Sequence, residues 1–185
     1  MAPDETTDID AAQNEDPEAL RTALLEQLAY LVDEIEALQS VVGPLPEQIK
    51  SGRPAPDTLT MKELYAAIAT LDAEVRRPRV ERIVETEEPT FEPVDVDATV
   101  RDAGWNDAPI GDILDRVRDA RAALVDRLEA LSLEDWHRTA TLDEEDLTLF
   151  SLVHRMTQAD AERLRDLGYT LHGAHLSDRD EPLPT

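Results

Sequence analysis

Cysteine is absent from this chain, which removes disulfides, thiolate metal sites and cysteine nucleophiles at once. Lysine is almost absent too: only Lys50 and Lys62 occur, and the other 16 basic residues are arginines. No apolar run approaches the roughly 20 residues that span a bilayer, and residues 1–16 show no apolar targeting segment. There is no glycine-rich phosphate loop, no Gly-x-Ser-x-Gly elbow, and no serine nucleophile beside a histidine. No repeat of about 20–50 residues is present. Histidine is missing from residues 1–136 altogether.

What is abundant is carboxylate. Asp and Glu number 42 against 18 Lys and Arg, a formal charge of −24, spread along the whole chain. At molar salt the Debye length falls to about 3 Å, so such self-repulsion is screened. The composition therefore fits a halophile's cytoplasm, and cytoplasmic is the expected location. The charge disfavours nucleic-acid partners, because phosphates are repelled. A length of 185 residues suits one domain with tails.

The apolar spacing predicts four amphipathic helices. Leu24, Leu28, Leu31, Ile35, Leu38 and Val42 alternate steps of four and three across residues 17–42. Asp16 and Pro17 suit the start of that helix, and Gly43-Pro44 its end. After a Pro- and Gly-containing loop, Thr60 and Glu63 form a capping box for a second helix carrying Leu64, Ile68, Leu71 and Val75. Pro78 should kink or break it. A long connection to about residue 107 reads as extended loop. Its length suits a crossover that leaves the second and third helices running in the same direction. The third stripe is Ile110, Ile113, Leu114, Val117, Leu124, Leu128 and Leu131. A short capped turn follows at Ser132. The fourth helix is expected from about Asp146, with Leu149, Leu152, Val153, Met156, Ala159 and Leu167 inward and Gly168 as its stop. No strand pair stands out, so the fold class is an all-α four-helix bundle over residues 17–172. Residues 1–16 read as a disordered acidic tail and 173–185 as a flexible one.

Leu59-Thr-Met-Lys-Glu-Leu64, Leu71-Asp-Ala-Glu-Val75 with Arg77-Pro-Arg79, Pro89 to Asp95, Gly104-Trp-Asn106, Leu131 to Trp136 and Leu147 to Leu149 occur in the order seen in DinB/YfiT-like proteins. The chain resembles that superfamily over about residues 18–170. The resemblance implies an up-down-down-up bundle with a long crossover between helices two and three. It also implies a divalent metal, such as zinc or nickel, held by one helix-two histidine and a His-Asp-x-x-His pair on helix four, and often used to transfer small thiol cofactors or isomerise thiol-linked substrates. Here the matching positions are Ala67, Ala159 and Arg163, with only Asp160 of the motif kept. Alanine has no donor atom and arginine keeps its proton. The sequence is thus similar to a degenerate member without the metal triad.

Arg163 at such a position reads first as a side chain at the pocket mouth with its head in water. If it points inward instead it needs a carboxylate, and Asp72 on the second helix is a candidate partner, an ion pair acting as glue in place of a metal. His137 and His154 read as surface or structural residues. His172 and His175, three apart, would need a further ligand such as Asp178 or Asp180, and read more simply as a surface pair. The cluster Arg76, Arg77, Arg79 and Arg82 is ringed by Glu74, Glu81 and Glu85, an ion-paired helix face rather than an anion site. The acidic run 143–146 suits a helix N-terminus. The functional expectation is a non-catalytic binding or scaffold module with a protein or small-molecule partner. A homodimer through an apolar helix face, and no cofactor, complete it. The alternative is a metal-dependent transferase or hydrolase with ligands relocated to His154, His172 or His175.

Overall fold

The computed structural model describes residues 16–177 apart from residue 102, with side chains to residue 171. The tail expected at 1–16 lies outside the described residues except for Asp16; of the tail expected at 173–185, residues 173–177 are helical and the rest lies outside the described residues. Helix α1 (Pro17–Val42) begins where Asp16 accepts a hydrogen bond from the Glu18 amide at 3.1 Å, and it ends at Gly43. Its inward face is Leu24, Leu28, Leu31, Ile35 and Val42. The short α2 (Glu47–Ser51) interrupts the following loop. The second long helix is one rod in three parts: α3 (Met61–Thr70), a π-helical turn (Leu71–Arg76) and α4 (Arg77–Glu85). Both halves of the Thr60–Glu63 capping box are made.

Pro78 does not break the rod. It occupies the first turn of α4, directly after the wide π turn, where a missing backbone donor is absorbed. The wide turn also shifts the inward face by one residue. Leu71 and Val75 are only half-buried, and Asp72 and Arg76 point into the core instead.

The crossover is more ordered than an extended loop. It contains strand β1 (Thr90–Phe91), helix α5 (Val96–Val100) capped by Asp95, and a 3-10 turn (Trp105–Asp107). Helix α6 (Ile110–Glu129) and the capped α7 (Leu133–Trp136) follow. The expectation of no strand pairs is overturned. β2 (Thr139–Leu142) and β3 (Glu145–Thr148) form an antiparallel hairpin, and β1 pairs parallel to β2 with Thr90 opposite Thr141. The acidic run is therefore a hairpin turn rather than a helix start. Asp143 and Glu144 take positive φ of 51° and 67°, the backbone a two-residue hairpin turn requires. The last helix, α8 (Leu149–Ser177), starts after this hairpin, with the Thr148 hydroxyl accepting from the Ser151 amide. It also runs through Gly168 instead of stopping there. Glycine in a helix costs only about 1 kcal/mol.

Cross-helix contacts fix the directions. Arg21, the Leu28 carbonyl and Gln39 of α1 meet Glu129, Arg121 and Asp115 of α6, so these two are antiparallel. Asp72 and Glu81 meet Arg121 and Arg127, so the second rod and α6 run the same way. Arg76 meets the Met156 carbonyl while Asp72 lies four residues before it and Asp160 four after Met156, so α8 opposes that rod. The fold is an up-down-down-up four-helix bundle. No helix among the described residues is long and apolar enough to cross a membrane.

The start of the second rod is held by a polar clasp. Arg53 donates twice to Glu63 at 2.8 Å, Asn106 bonds both Glu63 and Thr60, and Lys62 donates to the Asn106 carbonyl at 2.9 Å. Both lysines of the chain are buried here, and both reach Glu47. The hydrogen bond from Lys62, followed by that from Ser51, holds the Glu47 carboxyl down to about 2 from an ordinary 4.5. A depressed carboxylate contributes stability above its unfolded value and loses it as pH falls through its folded value. Glu47→Gln is therefore expected to lower the thermal midpoint above pH 4.5, the gap to the parent narrowing as pH falls toward about 2. Melting curves of both proteins over that range check it; a gap constant with pH counts against it.

Candidate functional site

The stripe of α6 steps from Val117 to Leu124 and skips a position that geometry places inside. Arg121 occupies it, 1% exposed. The second rod adds Asp72 (0%) and Arg76 (5%) and α8 adds Asp160 (6%), each on the inward face of its helix. Together they form a closed quartet. Arg76 Nη1 donates to Asp72 Oδ1 at 2.8 Å, and Arg121 Nε donates to Asp72 Oδ2 at 2.6 Å. The Asp160 oxygens lie 2.7 Å from Arg76 Nη1 and from Arg121 Nη2, as ion-pair contacts without hydrogen-bond alignment. Spare guanidinium donors reach the Met156 and Leu28 carbonyls at 3.3 and 3.4 Å. All four rods of the bundle thus touch one cluster of zero formal charge.

The quartet divides the core. On one side lie Leu31, Ile35, Val42, Ala67, Ile68, Ile113, Leu114 and Val117. On the other lie Leu24, Leu28, Val80, Ile83, Leu124, Leu128, Trp136 and Val153. For Arg121, burial alone would pull the guanidinium's pKa down, but the facing Asp72 and Asp160 outweigh it and raise the net value. Its charge is kept by its partners.

Of the residues singled out from sequence, Asp72 and Asp160 meet in this cluster. Ala67 is fully buried among aliphatic side chains, and Ala159 is half-buried beside Asp160. The pairing of Arg163 with Asp72 is corrected. Arg163 donates to Asp97 of α5 at 2.8 Å, near the surface, while Asp72 is taken by Arg76 and Arg121. Arg121 and Arg76 were not among the expected site residues. The skipped stripe position was the signal for the first. For the second, only the π turn brings it inside.

These donors do not fit a divalent cation. Ala67 and Ala159 offer no ligand atom, and both carboxylates face guanidiniums, whose charge repels a metal. No group of three or more His, Asp or Glu among the described residues is arranged to hold a metal. His154 is exposed and lies 3.5 Å from Gln158, and His137 is exposed with its ring edge toward Phe150. His172 and His175 fall on the last turns of α8 rather than beyond it; their side chains, and Asp178 and Asp180, lie outside the described residues.

The basic cluster is dispersed by the fold. Arg76 enters the core and Arg79 stacks over Phe91 at 5.4 Å. Arg77 and Arg82 line an open surface groove of about 490 Å³ together with Glu81 and Glu85. Glu81 pairs with Arg127 of α6 rather than within the cluster.

No protein-family model matches the chain, and no curated protein matches it. Among solved structures it is similar to YfiT from Bacillus subtilis, described as a probable metal-dependent hydrolase with an unusual four-helix bundle topology. The TM-score is 0.67 at 14% identity, over 85% of this chain and 86% of that one. At that identity the likeness is one of fold, a four-helix bundle like that of YfiT.

The quartet and Arg163 should respond differently to deletion. Removing one partner of a buried pair strands a charge and costs about 3–5 kcal/mol, whereas a partly exposed pair contributes about 0–1 kcal/mol. Arg121→Ala is expected to fall in the first range and Arg163→Ala in the second, read from urea unfolding. Equal losses would contradict the assignment.

Proposed function

We propose that this chain is a bundle of the YfiT type that works without the metal-dependent catalysis suggested for that neighbour, as a binding or scaffold module. One observation carries the reading. Where the resemblance places metal-binding histidines on the second and fourth long helices, this sequence has Ala67, Ala159 and Arg163, and the nearest buried carboxylate, Asp160, is committed to two guanidiniums. A site whose charges already cancel has no need of a cation, and its arginines oppose one.

The same reading places the protein in molar salt. The −24 charge supports it, as does the burial of both lysines, which leaves no exposed lysine on the molecule. Elemental analysis of protein purified in high salt, after incubation with zinc, nickel and manganese and removal of excess, tests the loss of the metal. Less than a tenth of an equivalent (about the background of such a measurement) is expected, with no change in melting. Stoichiometric metal that disappears in His154→Ala or His172→Ala would overturn the proposal and favour an enzyme with relocated ligands.

A further inference from the structure

We infer that the quartet is a register lock: it selects one alignment of the four helices out of several that bury the same apolar surface. The stripes themselves are permissive. On α6 a seven-residue slip carries Leu128 into the place of Arg121 and Leu124 into the place of Val117. On α8 it carries Leu167 or Val153 into the place of Asp160. Leucine, isoleucine and valine at steps of three and four pack acceptably in either alignment, because hydrophobic attraction is non-directional.

The charged residues remove that freedom. After the slip, Arg121 lands where Leu114 or Leu128 sat, among apolar side chains and away from Asp72 and Asp160. A buried charge without a partner is prohibitive, so the slipped packing is lost. The pattern of signs sharpens the selection. The second rod supplies one acid and one base four residues apart, α6 supplies a base, and α8 supplies an acid. Every contact is attractive only when residues 72, 76, 121 and 160 share one layer. The π turn is part of the device, since it faces Asp72 and Arg76 inward together.

The natural absence of cysteine makes the register directly readable. Gln39 meets Asp115 across α1 and α6 at 3.2 Å, and a seven-residue slip would bring Ala122 there instead. Gln39→Cys is combined with Asp115→Cys or with Ala122→Cys, each in the parent and in the variant Asp72→Leu, Arg76→Met, Arg121→Met, Asp160→Leu. A short bifunctional thiol reagent then reports the alignment. The parent should cross-link at least tenfold faster through residue 115. The four-fold variant should keep its helical circular dichroism and a thermal midpoint no lower than the parent's. It should cross-link through both positions and show more than one amide resonance per residue. A variant that retains the parent's single cross-link and single set of resonances overturns the lock. So does one that loses its helices, because the quartet would then be a source of stability rather than of selection.

Discussion

A guanidinium buried in a protein core must be matched by negative charge within a few ångströms, and that requirement governs the middle of this bundle. The effective cost of moving one such ion out of water into a protein interior is several kcal/mol. Attraction between two unit charges about 4 Å apart returns about 4 kcal/mol at the dielectric typical of proteins. One pair therefore does not balance two buried ions. Four charges arranged so that each carboxylate meets both bases do better, since Asp72 and Asp160 are each shared by Arg76 and Arg121. The remaining donors end on the Leu28 and Met156 carbonyls, so α1, which supplies no charge, is still tied to the layer. Closure of the cluster requires all four helices in place, which couples the two halves of the core that it separates.

The long helices were legible because they obey a single rule, apolar residues at steps of three and four. α1 shows its start through Asp16 and Pro17 and its end through Gly43, and the structure agrees to the residue. The capping box at Thr60 was equally plain, since a hydroxyl and a carboxylate three residues apart name their own partners, and the capped turn at Ser132 is a second such box, closed by Asp135. The parallel course of the second and third rods followed from the length of the crossover. The small sheet was not legible: its strands hold two to four residues, and its turn uses Asp143 and Glu144 where asparagine and glycine usually signal a hairpin. The site was half legible. Asp160 and Asp72 were found through the resemblance. Arg121 sat unremarked in a gap between Val117 and Leu124, because a charged residue in an apolar stripe reads as a skipped position. Arg76 was hidden by the π turn, which no propensity announces.

The two lysines show the same economy at the other end of the second rod. An ammonium is a compact donor with three directions, whereas a guanidinium is a flat fork. Lys62 reaches Glu47 and the Asn106 carbonyl, and Lys50 reaches Glu47 and the Gly43 carbonyl. These are acceptors on different segments, suited to a point charge. Arg53 takes the planar task, gripping both oxygens of Glu63. In a chain whose other 16 bases are arginines, both lysines stand where the acceptors lie on different segments.

Fold and chemistry separate cleanly here. The YfiT-like topology brings the second and fourth long helices together at mid-bundle, and anything that ties them must come from that layer. A divalent metal does so through neutral ligands and leaves open positions for substrate. The quartet ties them as well, but its valences are filled from within. Asp160 illustrates the difference. As the neighbour of a metal ligand it would be free to orient an imidazole, whereas between Arg76 and Arg121 it is held from both sides. Arg163, one turn further along α8, pairs with Asp97 and fastens α5 of the crossover to the bundle. The crossover is thereby pinned near its middle by Arg163 and at its close by Asn106.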